Sequence, residues 1–323
     1  MSLDLEFDDA QQAMAAAVAQ FCRDQYDPLK AVSPSAPFSR VLWRELAALD
    51  VFGLAIPGGG GGAIEVAALM ESLGRAAFPG PLAGTFLAVR LLPEPARMRV
   101  AKGDDLVCVG TPPLLSFAPM ASHFIELDLA HEQAWLARPR GTIAAVETLA
   151  GEPWGRLELE RDQELPDFAP ALAFSEIAAA AYLAAAGQKL VDDAADHART
   201  RRQFDRTIGE FQAVAHPLAD CAIRLAAARG LARAASARFD AMESDAAGKR
   251  VSIDAAAARL SAVAAALAAA QVCTQVFGAM GVLREGPIFH VVRQIRQLAS
   301  SAPGSAGARE RMVESLGLGR QAA

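Results

Sequence analysis

A stripe of apolar side chains near the middle of the chain, Leu183, Leu190, Val191, Ala194 and Ala198, constrains the fold more than any other feature, because it recurs at helical spacing. A helix from about residue 171 to residue 200 would be roughly 45 Å long at 1.5 Å per residue. Two more stripes follow it. Val214, Leu218, Cys221 and Leu225 step by four, three and four, and Ile253, Leu260, Val263 and Leu267 by seven, three and four. Long antiparallel helices of this kind form a four-helix bundle, which can carry cofactors between or at the ends of its helices. Hydrophobic residues make up 53% of the 323 residues, mostly as an excess of alanine, and aromatics only 6%. Alanine favours helix and adds little bulk, so the helices are predicted to pack closely through small side chains. The expected fold class is mainly α.

The remaining chain divides by texture. Residues 1–100 read as an N-terminal α-helical domain: Met14, Val18 and Phe21 recur at four and three, and Trp43, Leu46 and Leu49 at three and three. The run Ile56-Pro57-Gly58-Gly59-Gly60-Gly61-Gly62 interrupts this zone. It matches a phosphate loop only trivially, with no Lys-Ser/Thr after it, and a turn is the better account. Residues 101–168 carry short β-like runs, Leu106-Val107-Cys108-Val109 and Arg156-Leu157-Glu158-Leu159-Glu160, punctuated by proline and glycine. They predict an abbreviated middle β domain, too short for a full-sized barrel. Residues 169–323 form the C-terminal helical bundle.

Net charge is −6, which offers no footprint for nucleic acid or an anionic membrane. The Ala-rich stretches 176–188 and 255–270 are too weakly hydrophobic to be expected to span a bilayer. The acidic start Met1 to Asp9 lacks the basic opening of a signal peptide. Cys22, Cys108, Cys221 and Cys273 lie far apart without metal-ligand spacing. Reduced, buried thiols in a cytoplasmic protein are the expectation.

Two segments carry more information. The first is Arg201-Arg202-Gln203-Phe204-Asp205-Arg206-Thr207-Ile208-Gly209-Glu210-Phe211-Gln212, followed by Leu218-Ala219-Asp220. It resembles the acyl-CoA dehydrogenase signature in which Arg-x-x-Phe-Gly precedes Phe-Gln and then Ala-Asp. The second is Gln275-Val276-Phe277-Gly278-Ala279-Met280-Gly281, then Glu285, Pro287 and Arg293. It is similar to that family's Gln-x-x-Gly-Gly-x-Gly loop and the arginine after it. Leu42-Trp43-Arg44-Glu45-Leu46, Gly53-Leu54-Ala55-Ile56-Pro57 and Glu71-Ser72-Leu73-Gly74-Arg75 are similar to the family's opening helices.

The resemblance implies FAD as cofactor and an acyl-CoA thioester as substrate, with electron-transfer flavoprotein as electron acceptor. By the same resemblance Arg201 holds the pyrophosphate with Gln203 nearby, and Phe211 and Gln212 contact the flavin or its ribityl chain. Gln275, Gly278 and Ala279 belong to the loop that the dinucleotide approaches. An arginine's planar, permanently charged fork suits a pyrophosphate. In this family the dinucleotide is shared across a subunit interface, which implies a homo-oligomer, dimer or tetramer, or a hetero-oligomer with a sister subunit. Each residue also has a plainer reading. The basic run Arg199 to Arg206 reads equally as a solvated helix end, Gly278 and Gly281 as a helix stop, Phe211 as core, and His216 as packing before Pro217.

The pattern breaks at the base. A member of the family removes the α proton of its thioester with a carboxylate, commonly placed shortly after the arginine matched by Arg293. Here that position reads Ala302-Pro303-Gly304-Ser305, and neither Ala302 nor Pro303 accepts a proton. A minority of the family carries the glutamate on the long helix before Arg-x-x-Phe. The ungapped match there is Ser175, with Glu176 beside it as the candidate base, about 100° away around the helix. Asp205 stands where the signature has glycine, and the middle zone lacks a Thr-Glu-Pro-x-Ala-Gly-Ser-Asp-like segment. Two readings follow: an active dehydrogenase using Glu176 or a partner residue as base, or a degenerate subunit that completes a sister subunit's site, as in some bacterial members acting on steroid-type thioesters.

Overall fold

The computed structural model of the chain describes residues 5–27, 38–148, 151–242, 245–301 and 304–317. Ala302 and Pro303 lie outside the described residues.

Among the described residues five α-helices come first: α1 (Asp9–Gln25), α2 (Arg40–Ala47), α3 (Ala63–Arg75), α4 (Leu82–Leu91) and α5 (Ala96–Ala101). Asp8 and Gln11 start α1 with a reciprocal capping box. Ser39 caps α2 through the Leu42 amide. Of the expected apolar positions, Val18, Trp43 and Leu46 are fully buried, while Met14 and Phe21 pack at the core's edge. Leu49 is exposed, because α2 has already ended at Ala47 and the chain turns through Asp50 in the left-handed region (φ 59°). The glycine run makes a turn with Gly58 and Gly60 at positive φ. The amides of Ala63 and Ile64, which open α3 behind it, donate to Asp240 at 2.7 and 2.9 Å. The anion-binding end of that helix is thus filled by a side chain of the protein itself.

The middle segment forms one five-stranded sheet from β1 (Val107–Gly110), β2 (Leu114–Ser116), β3 (His123–Asp128), β4 (Gln133–Val146) and β5 (Trp154–Leu165). Their order is β1-β3-β4-β5-β2, with β1 parallel to β3 and every other pair antiparallel. On β5 Leu157 is buried between exposed Arg156 and Glu158, the alternation expected of a half-buried strand.

The bundle follows: α6 (Phe168–Thr200), α7 (Gln212–Asp240), α8 (Asp245–Phe277), α9 (Phe289–Ser300) and α10 (Gly304–Ser315), with a two-residue hairpin, β6 (Arg202–Gln203) and β7 (Arg206–Thr207), between α6 and α7. The 33-residue α6 is its centre and is buried all round from Ala171 to Gly187 rather than along one stripe. The reason is that α3 and α4 pack on it as well as α7, α8 and α9. A Cβ on Gly74 would lie 2.3 Å from the Tyr182 carbonyl oxygen, so α3 and α6 touch nearly backbone to backbone.

On α8 the buried face is mostly alanine, among them Ala255, Ala258, Ala262, Ala266 and Ala269, all essentially inaccessible, with Val263 buried beside them, whereas Leu267 is partly exposed. Of the stripe of larger residues read from the sequence Val263 is buried, Ile253 and Leu260 are half-buried and Leu267 is exposed, so alanines make most of this helix's seam. Close helix packing selects the small side chains. Contrary to expectation, windows in α6 and α8 are long and apolar enough to cross a membrane, with mean hydropathy 1.5 and 1.6. The α6 window is 89% buried inside the molecule, the environment of a core helix. All four cysteines are free and buried, and burial pushes the thiols of Cys22, Cys108 and Cys273 up to about 12.

Candidate active site

The first cluster of expected site residues lies at one end of the bundle. Arg201 closes α6, its amide donating to the His197 carbonyl at 2.8 Å. The chain then reverses through Phe204 and Asp205, both left-handed at φ 52° and 64°, in the primed-turn geometry of two-residue hairpins. Aspartate tolerates this conformation better than most residues, which explains how Asp205 serves where the family signature has glycine. The Arg202 guanidinium donates to the Asp205 carbonyl, and the Gln203 amide donates to the Arg202 carbonyl at 2.8 Å. Arg206 stands 4.0 Å over the Phe211 ring, and Phe204 meets the same ring edge-on. Phe204 is nonetheless 86% exposed, and Arg201, Gln203 and Gln212 are exposed too.

The second motif is brought to the same end. Phe277 stacks on His197, centroids 4.5 Å apart and 24° between planes. His197 is one helical turn before Arg201, and Phe277 directly precedes Gly278. Gln275, Gly278 and Ala279 are exposed. Gly278 is left-handed (φ 62°), with no atom within 4 Å of where a Cβ would stand. Forked guanidinium, amides, aromatic rings and bare backbone form a donor set that fits the pyrophosphate and rings of a flavin dinucleotide.

Glu176 does not share this surface. It is 2% exposed and ion-paired with Arg311, in a cavity with Phe168, Leu172 and Met312. Burial raises its pKa, with Arg311 and then Arg259 pulling the other way. Its neighbour Ser175 donates to the Ala83 carbonyl at 2.7 Å. Arg293 is buried on α9, and desolvation lowers its pKa.

A different cavity lies between the segment Gly80 to Gly84, the sheet and α9, and includes Ser116, Glu152, Gln294 and Gln297. Its internal space of about 50 Å³ would hold a few waters. Glu152 is 6% exposed, and burial pushes its carboxyl up to about 8, against a smaller lowering by Arg293. Sequence reading passed over Glu152. It belongs to no motif, and the groups around it come from distant segments, so no local signal marks it.

Two family models match the chain: the acyl-CoA dehydrogenase N-terminal domain over residues 8–92 and the C-terminal domain over residues 168–316. Together they span most of its length, and the chain belongs to the acyl-CoA dehydrogenase superfamily. Among curated relatives, acyl-CoA dehydrogenase IpdE2 of Mycolicibacterium smegmatis is 32% identical over 204 residues, 59% of this chain and 64% of the relative. The chain thus spans just under two thirds of that relative's length. Among solved structures, the ChsE4–ChsE5 complex of Mycobacterium tuberculosis aligns with TM-score 0.79 at 23% identity, covering 98% of this chain and 100% of the other. PigA with FAD and proline aligns with TM-score 0.79 at 18% identity over 98% and 100%. At these identities the two structures speak for the fold alone.

Proposed function

We propose that this chain is a subunit of a FAD-dependent acyl-CoA dehydrogenase, an assembly that removes the α proton of an acyl-CoA thioester as hydride leaves the β carbon. The observation that carries this reading is the outward-facing cluster at the bundle end, where Arg201, Gln203, exposed Phe204 and the bare turn at Gly278 come together. When bound, FAD supplies the hydride acceptor. Arg201 would hold its pyrophosphate, Gln203 would lie alongside, Phe211 and Gln212 would face the flavin or ribityl portion, and the backbone from Gln275 to Ala279 would take the dinucleotide. This surface and the cavity at Glu152 share no residue, which supports a flavin held between this chain and a second subunit.

One observation favours a second reading, in which the chain completes a sister subunit's site without performing the chemistry. The carboxylate beside the family's minority base position, Glu176 next to Ser175, is engaged by Arg311, and to act as base it would have to leave that partner. The ChsE4–ChsE5 structure is itself a complex of two named proteins. The test is to purify the chain alone and with a co-expressed longer homologue, then record the flavin spectrum and its bleaching by an acyl-CoA. Flavin retained and bleached in the chain alone supports the first reading. Flavin bound only in the co-expressed complex supports the second, and no flavin in either preparation rejects both.

A further inference from the structure

The cavity at Glu152 holds polar groups that have no hydrogen-bond partner among the described residues. Trp154 holds the pKa of the Glu152 carboxyl down, yet among the described residues Oε2 has no hydrogen-bond partner. Gln294 and Gln297 stand one turn apart on α9, and the Nε2 of each is also unpaired. Tyr182 is committed elsewhere, its hydroxyl donating to the Phe78 carbonyl at 3.0 Å. Much of the remaining wall is apolar, including Leu82, Val107 and Phe117. Orphaned buried groups converging on an apolar space are the signature of a ligand site. Ser301 lines the same cavity, and it directly precedes the position at which the family's usual base is missing here.

We propose that Glu152 is the proton acceptor of this cavity: when the reacting carbons and carbonyl of an acyl-CoA thioester enter from its open side and displace the few waters it would hold, with the rest of the acyl chain and the CoA outside, the Glu152 Oε2 takes the α proton while the amides of Gln294 and Gln297 donate to the thioester carbonyl oxygen. The inference rests on the acyl-CoA dehydrogenase reading above. In the step, the Cα–H bond breaks, the O–H bond of Glu152 forms, and the freed electron pair spreads onto the carbonyl oxygen as an enolate. One negative charge disappears from the carboxylate as one appears on the enolate, so the step balances without an oxidant. Hydride loss to the flavin is the separate half of the reaction. Burial that raises the basicity of Glu152 towards neutral pH suits the task. The ionisable groups acting on it are Arg293 on α9, which lowers its pKa, and Tyr182 on α6, whose own pKa it raises. Glu176, by contrast, sits in the other cavity with Arg311.

The test uses the flavin-loaded complex with its flavin chemically reduced, under anaerobic conditions in D2O. Butanoyl-, octanoyl- and cyclohexylpropanoyl-CoA are supplied separately, and loss of the α-proton NMR signal is followed. At least one thioester is expected to exchange. Glu152→Gln should slow that exchange by about 10²-fold or more while the thioester still binds by equilibrium dialysis. Trp154→Phe keeps the carboxylate but removes a donor that holds its pKa down, so the pH midpoint of exchange should move upward. That arm stands even where Glu152→Gln misfolds. Unchanged exchange in Glu152→Gln, loss of exchange in Glu176→Gln alone, or no exchange with any of the three thioesters overturns the assignment while leaving the flavin reading intact. A complex that never takes up flavin overturns the functional reading itself, and the absorbance spectrum shows which has failed.

Discussion

The pKa of Glu152 rises from 4.5 to about 8 because burial penalises the charged carboxylate by more than Arg293 stabilises it. Between these values the unfolded chain releases a proton that the folded chain keeps. Stability therefore falls as pH rises from about 5 to about 8 and then levels off, at about 1.4 kcal/mol per pH unit. Glu152→Gln removes this dependence. Calorimetry is expected to show the variant unfolding at a higher temperature than wild type at pH 8, with the advantage gone near pH 5. Identical pH slopes would place the titration elsewhere. Arg201 and Arg206 make a second contrast, since Arg206 already stands over Phe211 and Arg201 is exposed. Arg201→Ala should weaken FAD binding by a few kcal/mol, and Arg206→Ala by less, as measured by flavin fluorescence titration of the assembled complex. Equal retention in both would remove the case for the motif. The residues of the two motifs were legible because each lies in a short local pattern. Glu152 was not, because its cavity joins a residue of the loop before β5 to side chains from α9, more than a hundred residues away.

At the scale of elements, the spacing of apolar residues located the helices but not always their buried faces. The core centres of α2 and α7 could be read because Trp43, Leu46, Leu218 and Leu225 dominate them, and all four are buried. The seam of α8 could not, because its alanines carry less hydrophobic signal than the leucines and yet permit the closer approach that wins. The all-round burial of α6 was hidden for a related reason, since the N-terminal helices that cover its second face are a hundred residues earlier in the chain. Two glycines measure how tight this packing is. At Gly230 no atom lies within 4 Å of a new Cβ, so Gly230→Ala in the interior of α7 should gain up to about 1 kcal/mol from helix propensity. At Gly74 the same gain loses to a contact of 2.3 Å with a backbone oxygen that cannot swing aside. Gly74→Ala should cost about 1–3 kcal/mol. Denaturant midpoints of both variants check the pair, and a stabilised Gly74→Ala would mean that α3 and α6 are not in contact.

For the whole molecule, the outer surfaces of α7 and α8 leave Ile223, Leu231 and Leu267 exposed, and Met280, Val282 and Leu283, just after the turn at Gly278, are exposed too. Large apolar side chains left on the outer surface fit helices that also pack against another subunit. An interface of that kind commonly buries more than about 2,000 Å² in total. Light scattering at micromolar concentration should therefore report a dimer or larger species, or a stable complex with a sister chain, and a sharp monomer under both conditions counts against this. The contact between Asp240 and α3 bears on a different matter, the order in which the molecule is made. Asp240, at the last residue of α7, supplies the carboxylate that receives the first amides of α3, across 177 residues of sequence. Arg233 reaches back in the same way to Glu71 and to the Leu5 carbonyl. During synthesis the opening helices leave the ribosome long before the groups that finish them exist. They have to wait, incomplete, until most of the chain has been translated.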